Sequence, residues 1–248
     1  MTSLAELNRL GEDLERILIL RTSPMAVKML KSEADIPEGA VRPKKDRGQH
    51  IAQCQAFALS RRRKETVAML KEDNWCFAPL IAYGLEDKPE DENLQPFLQF
   101  PRFDTGKYVG IVSAPLKKAS FVPDVVIVYS NTAQLRNMLL PFSYGAREKI
   151  DYKFFPPACA YQVVPVMTEG CTVVTLPDPG DYQRALAGED EIILSLPPDR
   201  LEEMVGNLRR FEEGEFGYSH ASMFMLNDFP RPEFYQMLFK RWGLDTEN

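Results

Sequence analysis

Histidine is almost missing from this 248-residue sequence: His50 and His220 are the only two, so a histidine-rich metal site is excluded. The four cysteines form no Cys-x-x-Cys pair, which disfavours a thioredoxin-like dithiol or a treble-clef zinc site. No Gly-x-Gly-x-x-Gly follows a strand, and there is no Walker-type phosphate loop or Gly-x-Ser-x-Gly elbow. No apolar run approaches the roughly 18 residues of a membrane span, so no membrane partner is expected. Positive charge is also in deficit, with 30 Lys and Arg against 36 Asp and Glu and a net charge of −6. With a pI near 5.2, a nucleic-acid-binding face is not expected, because phosphate backbones need a basic surface. One basic run, Arg61-Arg62-Arg63-Lys64, departs from the trend and reads as a solvated helix end or a local anion contact.

The opening "MTSLAELNRLGEDLERILIL" has early acids and helical spacing, unlike a secretory signal, so a cytoplasmic location is expected. Cysteines in such a compartment stay reduced and serve as buried apolar filler or as chemistry.

Leu4, Leu7, Leu10, Leu14, Ile17 and Leu18 form one face of an amphipathic helix, with Ser3 and Glu6 placed as a capping box. "SPMAVKML", "ETVAML", "PDVVIVYS", "CTVVTLP" and "EIILSLP" read as short strands, and the third has the β-branched run of a strand buried on both faces. "HIAQCQAFALSRRR", "NTAQLRNMLLPF", "PDRLEEMVGNLRRF" and "PEFYQMLFKRWG" read as helices. "TGKYVGIVSAPLKK" is expected to contain a short helix, and "PDPGDYQ" to be a turn. Residues 32–49 form a loop long enough to be functional. These patterns predict an α/β or α+β protein with a mixed sheet of short strands interleaved with helices, in one domain spanning 1–248. A loose echo of strand, loop and cysteine at a helix start surrounds Cys76 and Cys159.

The candidate chemistry is Cys54, Cys76, Cys159 and Cys171, spaced 22, 83 and 12 residues apart, so any shared site must be assembled by the fold. Cys76 opens the apolar stretch of "NWCFAPLIAYGL", and Cys159 follows Pro156 and Pro157; both are expected in first helical turns. A helix N-terminus favours the thiolate, the form that binds metal or attacks an electrophile. Cys54 is expected mid-helix, sharing a face with His50 four residues earlier. Trp75, Phe77, Phe154, Phe155 and Tyr161 are core aromatics or a shield against water.

The ordered blocks "CQAFALSRRR", "NWCFAPLIAYGL", "PDVVIVYSNTAQLRNML", "PPACAYQVVPVMTEG" and "VTLPDPGDYQRALAGEDEIILSLPPDRLEEMVGNL" resemble family 169 of domains of unknown function. The resemblance covers nearly the whole chain, and the family occurs mostly in archaea and anaerobic bacteria. It implies cysteines at the places of Cys54, Cys76 and Cys159 and makes oxygen-sensitive chemistry credible, but supplies no activity. The similar family turn often carries Arg where Tyr182 or Gln183 stands here, a departure that weakens an anion-binding role for that turn.

Two functions of different class are therefore expected. In the first, three or four of the cysteines hold an iron–sulfur cluster, most simply a four-iron one, for electron transfer or cluster-assisted chemistry. His50 or a substrate would complete a three-cysteine set. In the second, a metal-free domain binds an anionic metabolite through Cys76, Arg102 and Lys107. A nucleophilic cysteine pairing Cys54 with His50 is a third option, weakened by the lack of an orienting carboxylate. Partners would be a small molecule or a redox protein, with a homo-oligomer left open.

Overall fold

The structure, a computed structural model, describes residues 2–144, 150, 152, 156–213 and 233–244. Its centre is a six-stranded sheet of β1 (Met25–Leu30), β2 (Val67–Leu70), β3 (Gly110–Pro115), β4 (Val125–Ser130), β5 (Val173–Thr175) and β6 (Ile192–Leu196). The order is β2-β3-β1-β4-β6-β5, and every ladder between these strands is antiparallel. The class is α+β.

Among the described residues, parallel pairing is confined to isolated bridges, so the sheet is antiparallel where sequence spacing predicts a mixed one. β1 and β2 do run parallel to each other, but β3 enters between them in the opposite direction. That insertion comes from the segment expected to hold a short helix. Gly110 makes it possible: a Cβ there would meet the Met69 carbonyl oxygen at 2.4 Å. Helical turning in the segment is limited to one 3-10 turn at Leu116–Lys118.

Alternating side chains divide the core into two layers. Ala26, Leu30, Val112, Val126, Val128, Leu194 and Leu196 face one side, with Leu7, Leu10 and Leu14 of α1 (Leu4–Leu18) and Leu201 and Met204 of α8 (Asp199–Glu213). α5 (Thr132–Tyr144) packs on α8. Ser3 caps α1 by accepting from the Glu6 amide, while the Glu6 carboxylate pairs with Arg9, so only half of the expected capping box forms.

Met25, Val27, Met29, Ile111, Ile127, Tyr129 and Ile193 face the other side. That face is covered by α3 (Gln53–Arg63), α4 (Phe77–Ala82) and α6 (Ala158–Glu169). α7 (Pro179–Arg184) packs against α3, and α2 (Pro43–Arg47) lies in the long loop before it. Asp73 ties that loop down: its carboxylate accepts from Arg42 Nε at 2.7 Å and from the Lys44 amide at 2.8 Å. α9 (Glu233–Arg241) ends the described chain. No helix among the described residues is long and apolar enough to cross a membrane.

Candidate functional site

The segments that precede α3 and α4 lie side by side. The Ile51 amide donates to the Asp73 carbonyl at 3.0 Å, and the Trp75 amide to the Ile51 carbonyl at 2.9 Å. This parallel bridge pulls His50–Ala52 out of the expected helix, so α3 starts at Gln53 and Cys54 stands in its first turn. The expected His50–Cys54 helical pair is therefore corrected: His50 is exposed and lies outside the helix. Cys76 is the N-cap residue of α4, and Cys159 is the second residue of α6.

These helix starts converge. Cys54, Cys76 and Cys159 line one small pocket, of about 50 Å³, together with Gln53, Phe57, Pro79, Gln162, Asp178, Asp181 and Arg184. Tyr83 of the α4 C-terminus is fully buried and donates its hydroxyl to the Cys159 carbonyl at 3.1 Å, which locks α4 to α6.

The fourth wall is α7, expected as a turn and found as a short helix. Asp178 caps it by accepting from the Gly180 amide at 2.7 Å, with Pro179 in the first turn. Its second carboxylate oxygen accepts from the Ala158 amide at 2.8 Å, so one side chain pins the starts of α6 and α7. Gly180 leaves room for the site: an added Cβ would lie 2.9 Å from Asp178 Oδ1 and 3.6 Å from Cys54 Sγ. Asp181, almost wholly buried, accepts from the Tyr129 hydroxyl at 3.0 Å.

Carboxylates and thiols crowded out of water set the electrostatics. Burial, reinforced by Asp181, Asp178 and Cys76, pushes the Cys54 thiol up to about 12. Burial and then Asp178, Cys76 and Cys54 raise Cys159 well above the ordinary thiol range. Burial and neighbouring Asp178 lift the Asp181 carboxyl to about 6. The thiolate stabilisation expected from helix starts is thus outweighed by desolvation and by negative neighbours. A cation in the pocket would reverse both effects, because it would remove the like-charge penalty and favour the ionised sulfurs.

Polar atoms in the pocket lack partners. Gln53 is 2% exposed, yet neither its Oε1 nor its Nε2 makes a hydrogen bond. Gln162 Oε1 is likewise unsatisfied, while its Nε2 donates weakly to Tyr129 at 3.4 Å. Burying such a group without a partner costs about 1–3 kcal/mol, and a polar occupant of the pocket would recover that cost.

Two cavities adjoin the pocket. An apolar one of about 420 Å³, lined by Phe77, Pro96, Phe97 and Pro179, shares Cys76, Asp178 and Arg184 with it. A second, of about 220 Å³, lies along the outer side of α3 and also reaches Arg184.

The structure does not bring Cys171 to this place. It follows the C-cap Gly170 of α6, a helix length of roughly 18 Å from Cys159. Its Sγ lies 3.7 Å from the Pro165 carbonyl oxygen and 3.8 Å from Glu169. Arg102 and Lys107 are exposed and line neither the pocket nor its two neighbours; Lys107 stands 5.5 Å from the ring centroids of Phe103 and Tyr108. Phe154, Phe155 and His220 lie outside the described residues. Among the described residues, no three His, Cys, Asp or Glu side chains stand as a ready-made single-ion site. The sequence reading missed Gln53, Gln162, Asp178, Asp181 and Arg184. Asp178 and Asp181 carried a signal, since Asp-Pro-x-Asp marks a capped helix start.

Comparison with known proteins gives a family match. The model of domain of unknown function 169, described as "Uncharacterised ArCR", matches residues 13–96 and 95–207. An uncharacterised protein of Methanocaldococcus jannaschii is 21% identical over 228 residues, covering 84% of this chain and 96% of that protein. No solved structure matches the chain.

Proposed function

From the geometry of a chain that belongs to the uncharacterised family of domain of unknown function 169, we propose a cysteine-ligated iron–sulfur protein whose site is Cys54, Cys76 and Cys159. The observation that carries this reading is that three cysteines, 22 and 83 residues apart in sequence, line one pocket, with Cys159 buried and Cys54 and Cys76 half-buried. The raised thiol pKa values favour an occupant with positive charge at its metals, and the unsatisfied Gln53 Nε2 favours one that accepts hydrogen bonds at its periphery.

The proposed occupant is a polynuclear group and not a single ion. A lone metal needs its ligands crowded within about 2.3 Å of one point, and the described residues offer no such cluster. A cluster of several irons spreads its thiolate ligands further apart. When bound, it supplies one-electron transfer or, at an iron without a protein thiolate, a Lewis-acidic position.

The remaining work belongs to the chain. Phe57 and Pro79 exclude water from the inner wall. The unsatisfied Gln53 Nε2 would donate a hydrogen bond to an occupant of the pocket, which would tune a cluster's potential, while the free Gln162 Oε1 can only accept. Cys76, only half-buried, borders both the pocket and the 420 Å³ apolar cavity, which gives a small-molecule substrate a route to the sulfur-bearing wall.

Anaerobic expression with added iron, followed by iron and acid-labile sulfide assays and a visible spectrum, tests the proposal. A brown protein is expected, its colour lost in Cys54→Ser, Cys76→Ser and Cys159→Ser and kept in Cys171→Ser. A colourless, iron-free protein that also resists reconstitution would end this reading.

A further inference from the structure

The basic run at the end of α3 does not act as one unit. Arg61 turns inward: it is 1% exposed, pairs with Glu191 at 2.9 Å and lies 3.9 Å above the Tyr129 ring. Arg62 and Arg63 turn outward, into the 220 Å³ cavity on the far side of α3. Arg47 of α2 and Arg184 of α7 enter the same cavity from two other elements. Four guanidinium groups drawn from three helices thus face one concave space in a protein of net charge −6.

Their internal neutralisation is incomplete. Arg47 is paired with Glu65 at 2.5 Å, and Arg62 donates to the Leu186 carbonyl at 2.6 Å and reaches Glu191 at 3.4 Å. Glu191 already serves Arg61, so one carboxylate is divided between two arginines. Among the described residues, no acidic one lines the cavity. Burial and the neighbouring Arg61 charge lower the Arg62 pKa, as expected where cations crowd without enough counter-charge. The floor is apolar, formed by Ile51, Ala58 and Leu59. A basic rim over an apolar floor suits an organic anion better than a bare inorganic ion.

We propose that this cavity binds a small metabolite bearing a multivalent oxyanion, a phosphate ester or a polycarboxylate, held by Arg62, Arg63 and Arg184. Planar guanidinium forks match both oxyanions through paired N–H donors, and several of them exceed what one simple carboxylate would need. Arg184 also borders the cysteine pocket and the apolar cavity, so the ligand's anionic end is fixed within one side chain of the sulfurs. The inference goes beyond the cluster reading and stands without it.

Arg184 provides the readout, because its guanidinium lies 4.6 Å from the ring centroid of Trp75. Drawing that cation onto a ligand changes the Trp75 fluorescence. The test is a fluorescence titration of the full-length, iron-free chain carrying Trp242→Phe, at low salt, with pyrophosphate in one arm and citrate in the other. Saturable binding is expected in at least one arm, and the tighter arm identifies phosphate or carboxylate as the natural head group. Arg63→Glu with Arg184→Glu should weaken binding by about tenfold or more. The milder Arg63→Gln with Arg184→Gln covers the case in which charge reversal disturbs folding, and isothermal titration reads it without the Trp75 signal. No saturation below about 1 mM in either arm, or equal affinity in the folded double variants, would overturn the proposal.

Discussion

Asp178 holds the amide of Ala158 at 2.8 Å, and through that bond the start of α6 is fixed to the start of α7. Cys159 is the next residue in the chain, so its position depends on a carboxylate 19 residues away. Asp178→Ala removes both this tie and the α7 cap. Loss of one cap costs about 0.5–2 kcal/mol, and the second lost bond should bring the total to about 2 kcal/mol. Urea unfolding should show the drop, with Asp178→Asn retaining much of it because asparagine also caps. Unchanged stability in the alanine variant would deny Asp178 this role.

Arg61 and Glu191 form a buried pair, at 1% and 3% side-chain exposure. Removing Arg61 leaves the buried Glu191 only the Gly188 amide and a long 3.4 Å contact to Arg62, so Arg61→Met should destabilise the fold by about 3 kcal/mol. The double variant Arg61→Met, Glu191→Leu should recover most of that loss, and chemical denaturation of the two proteins makes the comparison. A double variant as weak as the single one would locate the stability in the Tyr129 contact instead.

Asp181 carries a pH signature. Its carboxyl titrates near 6 in the fold against 3.8 as the ordinary value, so between these pH values the native state holds a proton that the unfolded chain has released. Stability from this group is therefore fully present below about pH 4 and is lost as pH rises to about 6. Asp181→Asn should abolish that dependence. Relative to the parent, the variant should gain on the order of 2–3 kcal/mol between pH 4 and 7, measured by denaturation at each pH in the metal-free protein. Parallel stability curves would refute the assignment.

The Cys54 thiol, pushed up to about 12, is a poor nucleophile at neutral pH because little thiolate is present. Iodoacetamide should label it about 100-fold more slowly than a free peptide thiol, or slower, as read by peptide mass mapping in the metal-free protein. Rapid labelling would revive the nucleophilic-cysteine option.

Metal uptake should run the other way with pH, since each sulfur must shed a proton to ligate. Reconstitution of the metal-free protein with iron and sulfide should therefore proceed further at pH 8 than at pH 6, with protons released on binding. Uptake independent of pH would show that the thiols are not the ligands.

Much of the architecture was legible because hydrophobic period is local. The leucine stripe of α1 and the β-branched run of β4 each encode their own burial, and both elements formed where the pattern placed them. Strand order was not legible, because nothing in "GIVSAPLKK" marks it as the strand that enters between β1 and β2. At the site, the helix starts at Cys76 and Cys159 were readable from flanking residues. The convergence of Cys54 with them was not, because it depends on the Ile51–Asn74 bridge between segments 23 residues apart. Cys171 misled for the opposite reason: it is near Cys159 in sequence, but the length of α6 lies between them. Arg102 and Lys107 show that charge alone does not mark a cavity, which also needs walls from several elements.

The sulfur-lined pocket draws its walls from residues 52 to 184, so no early fragment of a growing chain carries it whole. A ribosome must release about three-quarters of the polypeptide before the last wall, α7, can dock. Under the proposed function, any inorganic cargo would then have to be delivered after translation is well advanced.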